Sequence, residues 1–254
     1  MSGLTTIKSV EKALSLLECF SIQEPELGIS DMAKKMGVPK SSAHSLVATF
    51  CEAGYLKRTS SGRYSLDIKI LRFAYIVNQN LGYPRAVYDI LMETANKTKQ
   101  VVYFGVPYEQ SVLYLYVAHP MDRMEELPYR EITGEIAPLY STGIGKAILA
   151  HLPPEEWNRR MPAILTARTP KTITDRADMV AELKAIRDRG FSIDNQENER
   201  GIRCVGVPVY SATGQLVAGI STSGPVERMT EKTMRECLTQ LRVAATKMKD
   251  RIYR

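Results

Sequence analysis

The segment from residue 141 to residue 146 has the composition of a helix start that could bind an anion. Ser141 or Thr142 can cap the helix, and Gly143 and Gly145 leave backbone N–H groups open to close approach. The free N–H groups of a first helical turn favour negative charge. The segment is not a phosphate loop, because its glycines are two apart and Ala147 stands where a metal-binding hydroxyl is needed. The alternative is a tight helix–sheet contact, which also requires small residues.

Ser221 and Ser223 form a second polar group near the end of a predicted strand. Residues two apart in a strand face the same way, so both hydroxyls are expected on one side of the sheet. Hydroxyl groups that face inward need hydrogen-bond partners, and a polar ligand is one such partner. Hydrogen bonds to the backbone are the alternative.

Cys204 raises the question of an enzyme, with His119 or His151 as the base of a cysteine nucleophile. Nothing in the spacing places these residues together, and the alternating valines around Cys204 indicate a strand thiol of ordinary reactivity. We therefore predict no enzymatic activity and no catalytic residue. The four cysteines lack metal-ligand spacing, so we also predict no metal site and no cofactor.

Positive charge is concentrated near the N-terminus. The whole chain has a net charge of +6, and residues 30–66 alone contain six basic and two acidic residues. A predicted helix in this stretch begins with short hydrogen-bond donors and one long cation, which suits base edges and phosphates in the major groove. The candidate DNA contacts there are Lys40, Ser41, Ser42, His44 and Ser45.

The elements around these residues are predicted in the order helix, helix, tight turn, helix, hairpin. The first helix covers residues 7–20, and Ser30, a further candidate DNA contact, is expected to cap a second helix over 31–36. A third helix follows to about residue 53, and strands over 55–57 and 63–66 form a hairpin with a polar tip. This order predicts a winged helix-turn-helix whose hairpin offers Arg58 and Arg63 to DNA. The alternative is a helical packing module with a solvated basic face.

Residues 67–81 form a predicted helix that is apolar on more than one side and therefore needs a partner. We interpret it as a linker that packs against a second subunit, with burial inside its own chain as the alternative. The remaining chain alternates strands and helices and predicts an α+β domain with a mostly antiparallel sheet. The predicted domains are 1–66 for DNA binding, 67–83 for the linker helix and 84–254 for ligand sensing.

Composition narrows the class of protein. The chain is 44% hydrophobic, and none of its apolar runs approaches the ~20 residues of a membrane span. The first residues lack the basic-then-apolar order of a signal peptide, and the cysteines are scattered. We therefore expect a soluble, cytoplasmic protein without a membrane partner.

Three groups of segments, taken in order, resemble the isocitrate lyase regulator (IclR) family of bacterial transcription factors. The N-terminal group comprises residues 9–14, 29–33 and 37–44, the middle group is 138–147, and the C-terminal group comprises 201–209 and 220–225. The resemblance implies a winged helix-turn-helix, a linker helix and a GAF/PAS-like effector domain in a homo-oligomer, a dimer or tetramer, that regulates catabolic operons from a double-stranded DNA operator. The family often has a long residue after the position of His44, where this chain has Ser45. The resemblance therefore does not predict which DNA bases the recognition helix prefers.

The resemblance also implies a small-molecule effector, commonly a carboxylate. The positions that match the family's effector pocket are Gly143, Ile144, Asp194, Cys204, Ser221 and Ser223. Ser221, Ser223 and the backbone near Gly143 would bind the carboxylate, and Asp194 would accept from a hydroxyl or amine. An ionised Asp194 repels a ligand carboxylate unless one of them is protonated or a hydroxyl intervenes. Two alternatives are a solvated acidic loop at 194–200 and a back domain that assembles without sensing.

Overall fold

A computed structural model describes residues 6–123 and 132–252 of the chain. The chain divides into two compact units, Met1–Asn80 and Leu81–Arg254. The first five residues of the predicted DNA-binding domain, and residues 124–131 and 253–254 of the predicted sensing domain, lie outside the described residues.

The N-terminal unit has the predicted order of elements. Helices α1 (Lys8–Leu17), α2 (Ile29–Met36) and α3 (Lys40–Glu52) precede the antiparallel strands β1 (Leu56–Arg58) and β2 (Tyr64–Leu66), and α4 (Lys69–Leu81) follows. A small apolar core holds the three helices to the hairpin, and its buried members include Leu16, Leu27, Met32, Val47 and Leu56. The helix-turn-helix and its wing are thus confirmed as the fold of this unit.

The start of α2 differs from the prediction. Gly28 occupies the N-cap and Ile29 is already helical, so the expectation that Ser30 caps the helix was wrong. The Asp31 carboxylate accepts a hydrogen bond from the Gly28 N–H group at 3.0 Å. A side chain in the first turn of the helix thus satisfies the backbone donor of the N-cap residue. Gly37 ends the helix in the left-handed conformation, as expected from its position.

Helix α4 leaves most of its apolar side chains exposed. Phe73 stacks on Tyr55 with ring centroids 6.0 Å apart, and the Lys69 ammonium donates to the Ala53 carbonyl, so the start of α4 is fixed to the turn between α3 and β1. Its side chains at Leu71 and Tyr75 are nonetheless about two-thirds exposed. The predicted alternative, burial of this helix within its own chain, is not what the structure has.

The C-terminal unit is an antiparallel sheet with helices on both faces. Its elements are α5 (Tyr83–Thr98), β3 (Val101–Tyr108), β4 (Ser111–Ala118), a short 3-10 helix (Met121–Arg123), β5 (Ile136–Pro138), α6 (Gly143–His151), α7 (Pro154–Arg160), α8 (Arg176–Arg189), β6 (Ser192–Asn195), β7 (Ile202–Tyr210), β8 (Leu216–Pro225) and α9 (Glu231–Lys249). The strand order is β5-β4-β3-β8-β7-β6, and each neighbouring pair is antiparallel. The predicted α+β class is confirmed, while β5 and β6 are additions.

Side-chain alternation divides this unit into two cores. One face of the sheet packs against α5 and α9 through residues such as Phe104, Val207 and Ile220. The other face packs against α6, with α8 behind it. Helix α6 can lie close because the strands beneath it carry glycines: a Cβ at Gly219 would lie 2.9 Å from the Cγ1 of Ile144. These contacts fix the first turn of α6 over the middle of the sheet.

Among the residues the structure describes, no helix is both long and apolar enough to cross a membrane. The same residues contain no cluster of three or more His, Cys, Asp or Glu side chains that could hold a metal ion.

Candidate functional site

A cavity of about 440 Å³ lies in the C-terminal unit at the N-terminal end of α6. Polar groups from the sheet, from α6 and from the loop after β6 converge on it. The lining includes all six residues predicted as effector contacts: Gly143, Ile144, Asp194, Cys204, Ser221 and Ser223. The structure therefore brings together residues that are up to 80 positions apart in the chain.

The register of the sheet explains why these residues meet. Asp194 on β6 is paired with Cys204 on β7, which is paired with Ser223 on β8, which is paired with Val101 on β3. These four residues form one row across the sheet, on the face that carries α6. The next row on that face holds Ser221 and its partner Tyr103. Predicting that Ser221 and Ser223 share a side of the strand was correct.

The first turn of α6 is held tightly against β7. Thr142 caps the helix, since its hydroxyl accepts from the Gly145 N–H group at 3.0 Å. The hydroxyl of Ser192 donates to the Gly143 carbonyl at 2.5 Å. A Cβ at Gly143 would lie 2.6 Å from the sulfur of Cys204. The tight helix–sheet contact that we considered for this segment is therefore present, and the glycine that makes it also borders the cavity.

Cys204 is a buried thiol and not a nucleophile. Burial is the main cause that raises its pKa to about 12, and the nearby Asp194 adds to this effect. The Ser221 hydroxyl and the backbone of Ile144 and Gly143 oppose the shift without overcoming it. A thiol with so high a pKa holds its proton at neutral pH and does not attack substrates.

Asp194 faces the cavity from a rigid turn. Its side chain is nearly buried, with 4% exposure, so the alternative of a fully solvated acidic loop does not describe this residue. Its Oδ1 accepts from the backbone N–H groups of Glu197 at 2.6 Å and Asn198 at 3.3 Å. Burial raises its pKa to about 7, although the two N–H groups and Lys146 pull the pKa down.

Lys146 is a functional candidate that the sequence analysis missed. It is 1% exposed, and its ammonium lies 2.5 Å from Oε1 of Glu197. Burial of Glu197 raises its pKa, an effect that Lys146 opposes. The ion pair fixes the turn that carries Asp194. One signal was present in the sequence: Lys146 is a single charge inside the otherwise apolar helix α6.

The rest of the cavity wall was also missed. It contains two tyrosines and several polar side chains: Tyr103, Tyr114, His119, Glu135, Arg168 and Asn198. The rings of Tyr103 and Tyr114 meet edge to face with centroids 5.7 Å apart. Such a wall can contact the body of a ligand whose acid group lies at the serines.

The N-terminal unit presents the predicted recognition surface on α3. Ala43 and Val47 are buried against the unit's core. The five residues predicted as DNA contacts on this helix lie on its exposed side: Lys40, Ser41, Ser42, His44 and Ser45. The hydroxyl of Ser45 donates to the Ser41 carbonyl at 3.2 Å.

The two wing arginines differ. Arg58 is exposed, and its Nε donates to the Gly62 carbonyl at 3.4 Å. Arg63 instead donates to the Glu26 carbonyl and to the Asp31 carboxylate, both at 3.0 Å. Arg63 therefore links the wing to the first turn of α2. Its guanidinium is bonded within the protein, whereas we expected the hairpin to offer it to DNA. Ser30 is exposed on the first turn of α2 and makes no capping bond.

The chain matches two models of one protein family. The IclR helix-turn-helix domain matches residues 9–60, and the bacterial transcriptional regulator IclR C-terminal domain matches residues 74–250. Among curated proteins, the HTH-type transcriptional regulator KdgR of Escherichia coli (strain K12) is 31% identical over 245 residues, which are 96% of this chain and 92% of KdgR.

Two solved structures are similar over nearly the whole chain. A putative IclR transcriptional regulator from Silicibacter sp. TM1040 has a TM-score of 0.86 at 26% identity and covers 96% of each chain. An IclR homolog from Microbacterium hydrocarbonoxydans, complexed with 4-hydroxybenzoate, has a TM-score of 0.83 at 20% identity and covers 96% of this chain and 98% of its own. The chain therefore belongs to the IclR family, and it is a DNA-binding transcriptional regulator and not an enzyme.

Proposed function

We propose that this regulator binds its operator as a homo-oligomer and that a small organic acid in the cavity beside α6 modulates this binding. The observation that carries the proposal is the meeting of Ser221, Ser223 and the first turn of α6 at one cavity. Hydroxyl groups and helix N-terminal N–H groups are donors, and donors bind carboxylates. The similar Microbacterium structure is complexed with 4-hydroxybenzoate, and this supports an organic acid as the class of ligand.

The DNA contacts that we propose are the exposed residues of α3 and the tip of the wing. Lys40 and the serines of the first turn would face the major groove, with Arg58 on the phosphate backbone. Arg63 would act indirectly by holding the wing against α2, since its guanidinium is bonded to Glu26 and Asp31. The domain limits that we propose are 1–66, 67–83 and 84–254.

A second copy of the chain is the partner that we propose for the exposed apolar faces of the N-terminal unit. Their members on and beside α1 and α4 are Ile7, Val10, Leu14, Ile68, Leu71, Phe73, Tyr75, Ile76 and Val77. Exposed apolar side chains grouped in this way are typical of a protein–protein interface. A dimer also supplies two recognition helices, which matches the paired half-sites of helix-turn-helix operators.

An acid in the cavity would act by favouring one arrangement of the oligomer over another. Paired half-sites reward only a matched spacing of the two recognition helices, so a shift in the arrangement changes operator affinity. The target genes that we propose are those of a catabolic operon, and the acid would be a substrate or product of that pathway.

The test uses the full-length protein and a duplex that the wild type selects from a random DNA pool. Glycolate, gluconate and 4-hydroxybenzoate serve as probes of small, sugar and aromatic acids. We expect at least one of them to change operator affinity in gel-shift titrations. The Ser221→Ala/Ser223→Ala variant should bind the duplex normally and lose the response.

The matched control is Ser211→Ala, a buried serine of the same unit outside the cavity, which should keep the response. A full response in the Ser221/Ser223 variant would refute the cavity as the effector site. An unchanged operator affinity with all three classes of acid would refute an acid effector.

A further inference from the structure

The position of Asp194 conflicts with an acid ligand. Asp194 lies in the same cross-strand row as Cys204 and Ser223, and its side chain lines the same cavity. A carboxylate held by Ser221 and Ser223 would therefore share one cavity with a second carboxyl group. Two ionised carboxylates in a buried site repel each other, and such pairs commonly share one proton.

Asp194 cannot easily turn away from this position. Its Oδ1 is held by the N–H groups of Glu197 and Asn198. The turn itself is anchored on the outside, since the hydroxyls of Thr169 and Thr172 donate to the carbonyls of Gln196 and Glu197, each at 2.6 Å. With Asp194 held in place, an acid that has no hydroxyl to lie between the two carboxyl groups needs one of them to be protonated.

The cations near Asp194 are engaged elsewhere. Lys146 is paired with Glu197 at 2.5 Å, and Arg168, exposed on the cavity wall, donates to the Asn198 carbonyl. None of the ion pairs among the described residues includes Asp194. The titratable groups that face it or share its cavity are Glu197, Lys146, Cys204, Tyr103, Tyr114, Glu135, His119, Arg168 and Glu199.

This surrounding favours the neutral form of Asp194. Burial and the charge of Glu197 raise its pKa, and the resulting value of about 7 lies above the usual 3.8. Close to neutral pH, the unoccupied cavity thus holds a mixture of protonated and ionised Asp194. A bound anion stabilises the protonated form further, because a carboxylic acid donates a hydrogen bond that a carboxylate cannot.

We propose that the cavity takes up an effector carboxylate together with one proton, which Asp194 carries as the donor of a hydrogen bond to the effector. This inference rests on the acid effector proposed above. When Asp194 is ionised, the proton comes from solvent, becomes bonded to a carboxyl oxygen of Asp194 and stays there while the effector is bound. The uptake couples the operator response to pH as well as to the concentration of the acid.

The proposal predicts both the direction and the magnitude of the pH dependence of acid binding. Below the pKa of Asp194, which is about 7, the proton is already present and affinity for the acid is constant. Above it, affinity falls about tenfold for each pH unit, because one proton must be taken up for each acid bound. From pH 6 to pH 8.5 the dissociation constant should rise about thirtyfold. A neutral amide of the same acid should bind weakly and without this dependence.

The experiment is isothermal titration calorimetry of the full-length wild type. The probe is whichever of glycolate, gluconate and 4-hydroxybenzoate binds, with its amide as the comparison. Titrations at pH 8 in phosphate and in Tris, whose ionisation enthalpies differ, give the number of protons taken up. We expect about 0.9 proton per acid, the fraction of Asp194 that is ionised at pH 8 for a pKa of about 7.

Asp194→Asn tests the assignment to this residue. Asparagine keeps the Oδ1 acceptor for the two backbone N–H groups and offers an amide donor where the protonated acid has its hydroxyl. The variant should bind the acid with no proton uptake and with equal affinity at pH 6 and pH 8.5. Asp188→Asn, an exposed carboxylate on α8 outside the cavity, is the matched control and should behave as wild type.

Each outcome has a separate meaning. Acid binding by the wild type with no proton uptake at pH 8 would overturn the coupling and leave the acid effector standing. Proton uptake that persists in Asp194→Asn would overturn the role of Asp194. Binding of the amides as tightly as the acids at every pH would overturn the acid effector itself, and the inference with it.

Discussion

Replacing Gly143 by alanine should destabilise the C-terminal unit through one identifiable atom. The new Cβ would lie 2.6 Å from the sulfur of Cys204 and 3.1 Å from its Cβ. The helix cannot recede, because the Ser192 hydroxyl holds the Gly143 carbonyl and the residues of α6 up to Ala150 are buried. Overpacking of this kind costs about 1–3 kcal/mol, and the lower backbone entropy of unfolded alanine returns up to about 1 kcal/mol. We expect a net loss of about 1–2 kcal/mol in the free energy of unfolding.

Removing the sulfur should relieve the clash. In the Gly143→Ala/Cys204→Ala double variant, the loss should be smaller than the sum of the two single losses by about 1 kcal/mol or more. Gly206→Ala is the matched comparison, since its Cβ would meet the Gly143 carbonyl oxygen at 2.7 Å. Backbone cannot be removed by mutation, so Cys204→Ala should not rescue Gly206→Ala.

Urea unfolding can be followed by the fluorescence of Trp157. It is the single tryptophan of the chain, and it is buried in the C-terminal unit, so the signal reports on the unit that is altered. Strict additivity of Gly143→Ala and Cys204→Ala would contradict the close packing of α6 on β7. Equal rescue of Gly206→Ala would contradict it as well.

Three further predictions have defined outcomes. Lys40→Ala and Arg58→Ala should each weaken operator binding. Each should also reduce the slope of log affinity against log salt concentration by about 0.9, as expected for one lost phosphate contact. Unaltered affinity in both variants would refute the placement of the helix and the wing. Arg63→Ala should loosen the wing in hydrogen-exchange measurements, and its salt slope should change less than that of Lys40→Ala; an equal drop would make it a direct contact. The pKa of the Asp194 carboxyl is raised to about 7 in the folded protein, so the native state binds a proton there at pH values where the unfolded chain has lost it. The stability that this proton contributes is lost as pH rises from about 4 to 7. The stability of the wild type, followed at Trp157, should therefore fall by about 4 kcal/mol relative to Asp194→Asn over that range, and parallel curves would contradict the raised pKa.

The helical part of the fold could be predicted well because its signals are local. Gly37, Gly54 and Gly190 each end a helix in the positions expected from the sequence, with positive φ angles in the structure. The start of α2 was missed for a physical reason. Its cap is made by a side chain three residues inside the helix, Asp31, which reaches back to Gly28, so a serine in an apparently suitable position was not needed.

Strands β5 and β6 could not be predicted in the same way. Both are short edge strands of three and four residues, and their sequences lack a long apolar run. Strand β6 exists because it pairs with β7, and this pairing places Asp194 opposite Cys204. The polar segment after Ile193 therefore reads as a loop in the sequence, although its first residues belong to the sheet.

Only part of the candidate site could be predicted, because some of its residues follow a local rule and others meet only in the tertiary fold. Ser221 and Ser223 are two apart, so a local rule assigns them to one face. The buried pair of Lys146 and Glu197 is 51 residues apart in the chain, and only the tertiary fold shows that they meet. Tyr103 and Tyr114 of the cavity wall lie on β3 and β4, where the pattern of residues predicts strands without saying which face borders a cavity.

The most direct test is the reciprocity of acid and operator binding. Anisotropy of a fluorescent operator duplex gives its dissociation constant with and without saturating acid, and calorimetry gives the dissociation constant of the acid with and without the duplex. Two sites coupled through one protein must change each other's affinity by the same factor, typically about 5- to 150-fold. We expect equal factors in the wild type and no coupling in the Ser221→Ala/Ser223→Ala variant. Acid binding that leaves the operator affinity of the wild type unchanged would contradict a sensing role for the cavity.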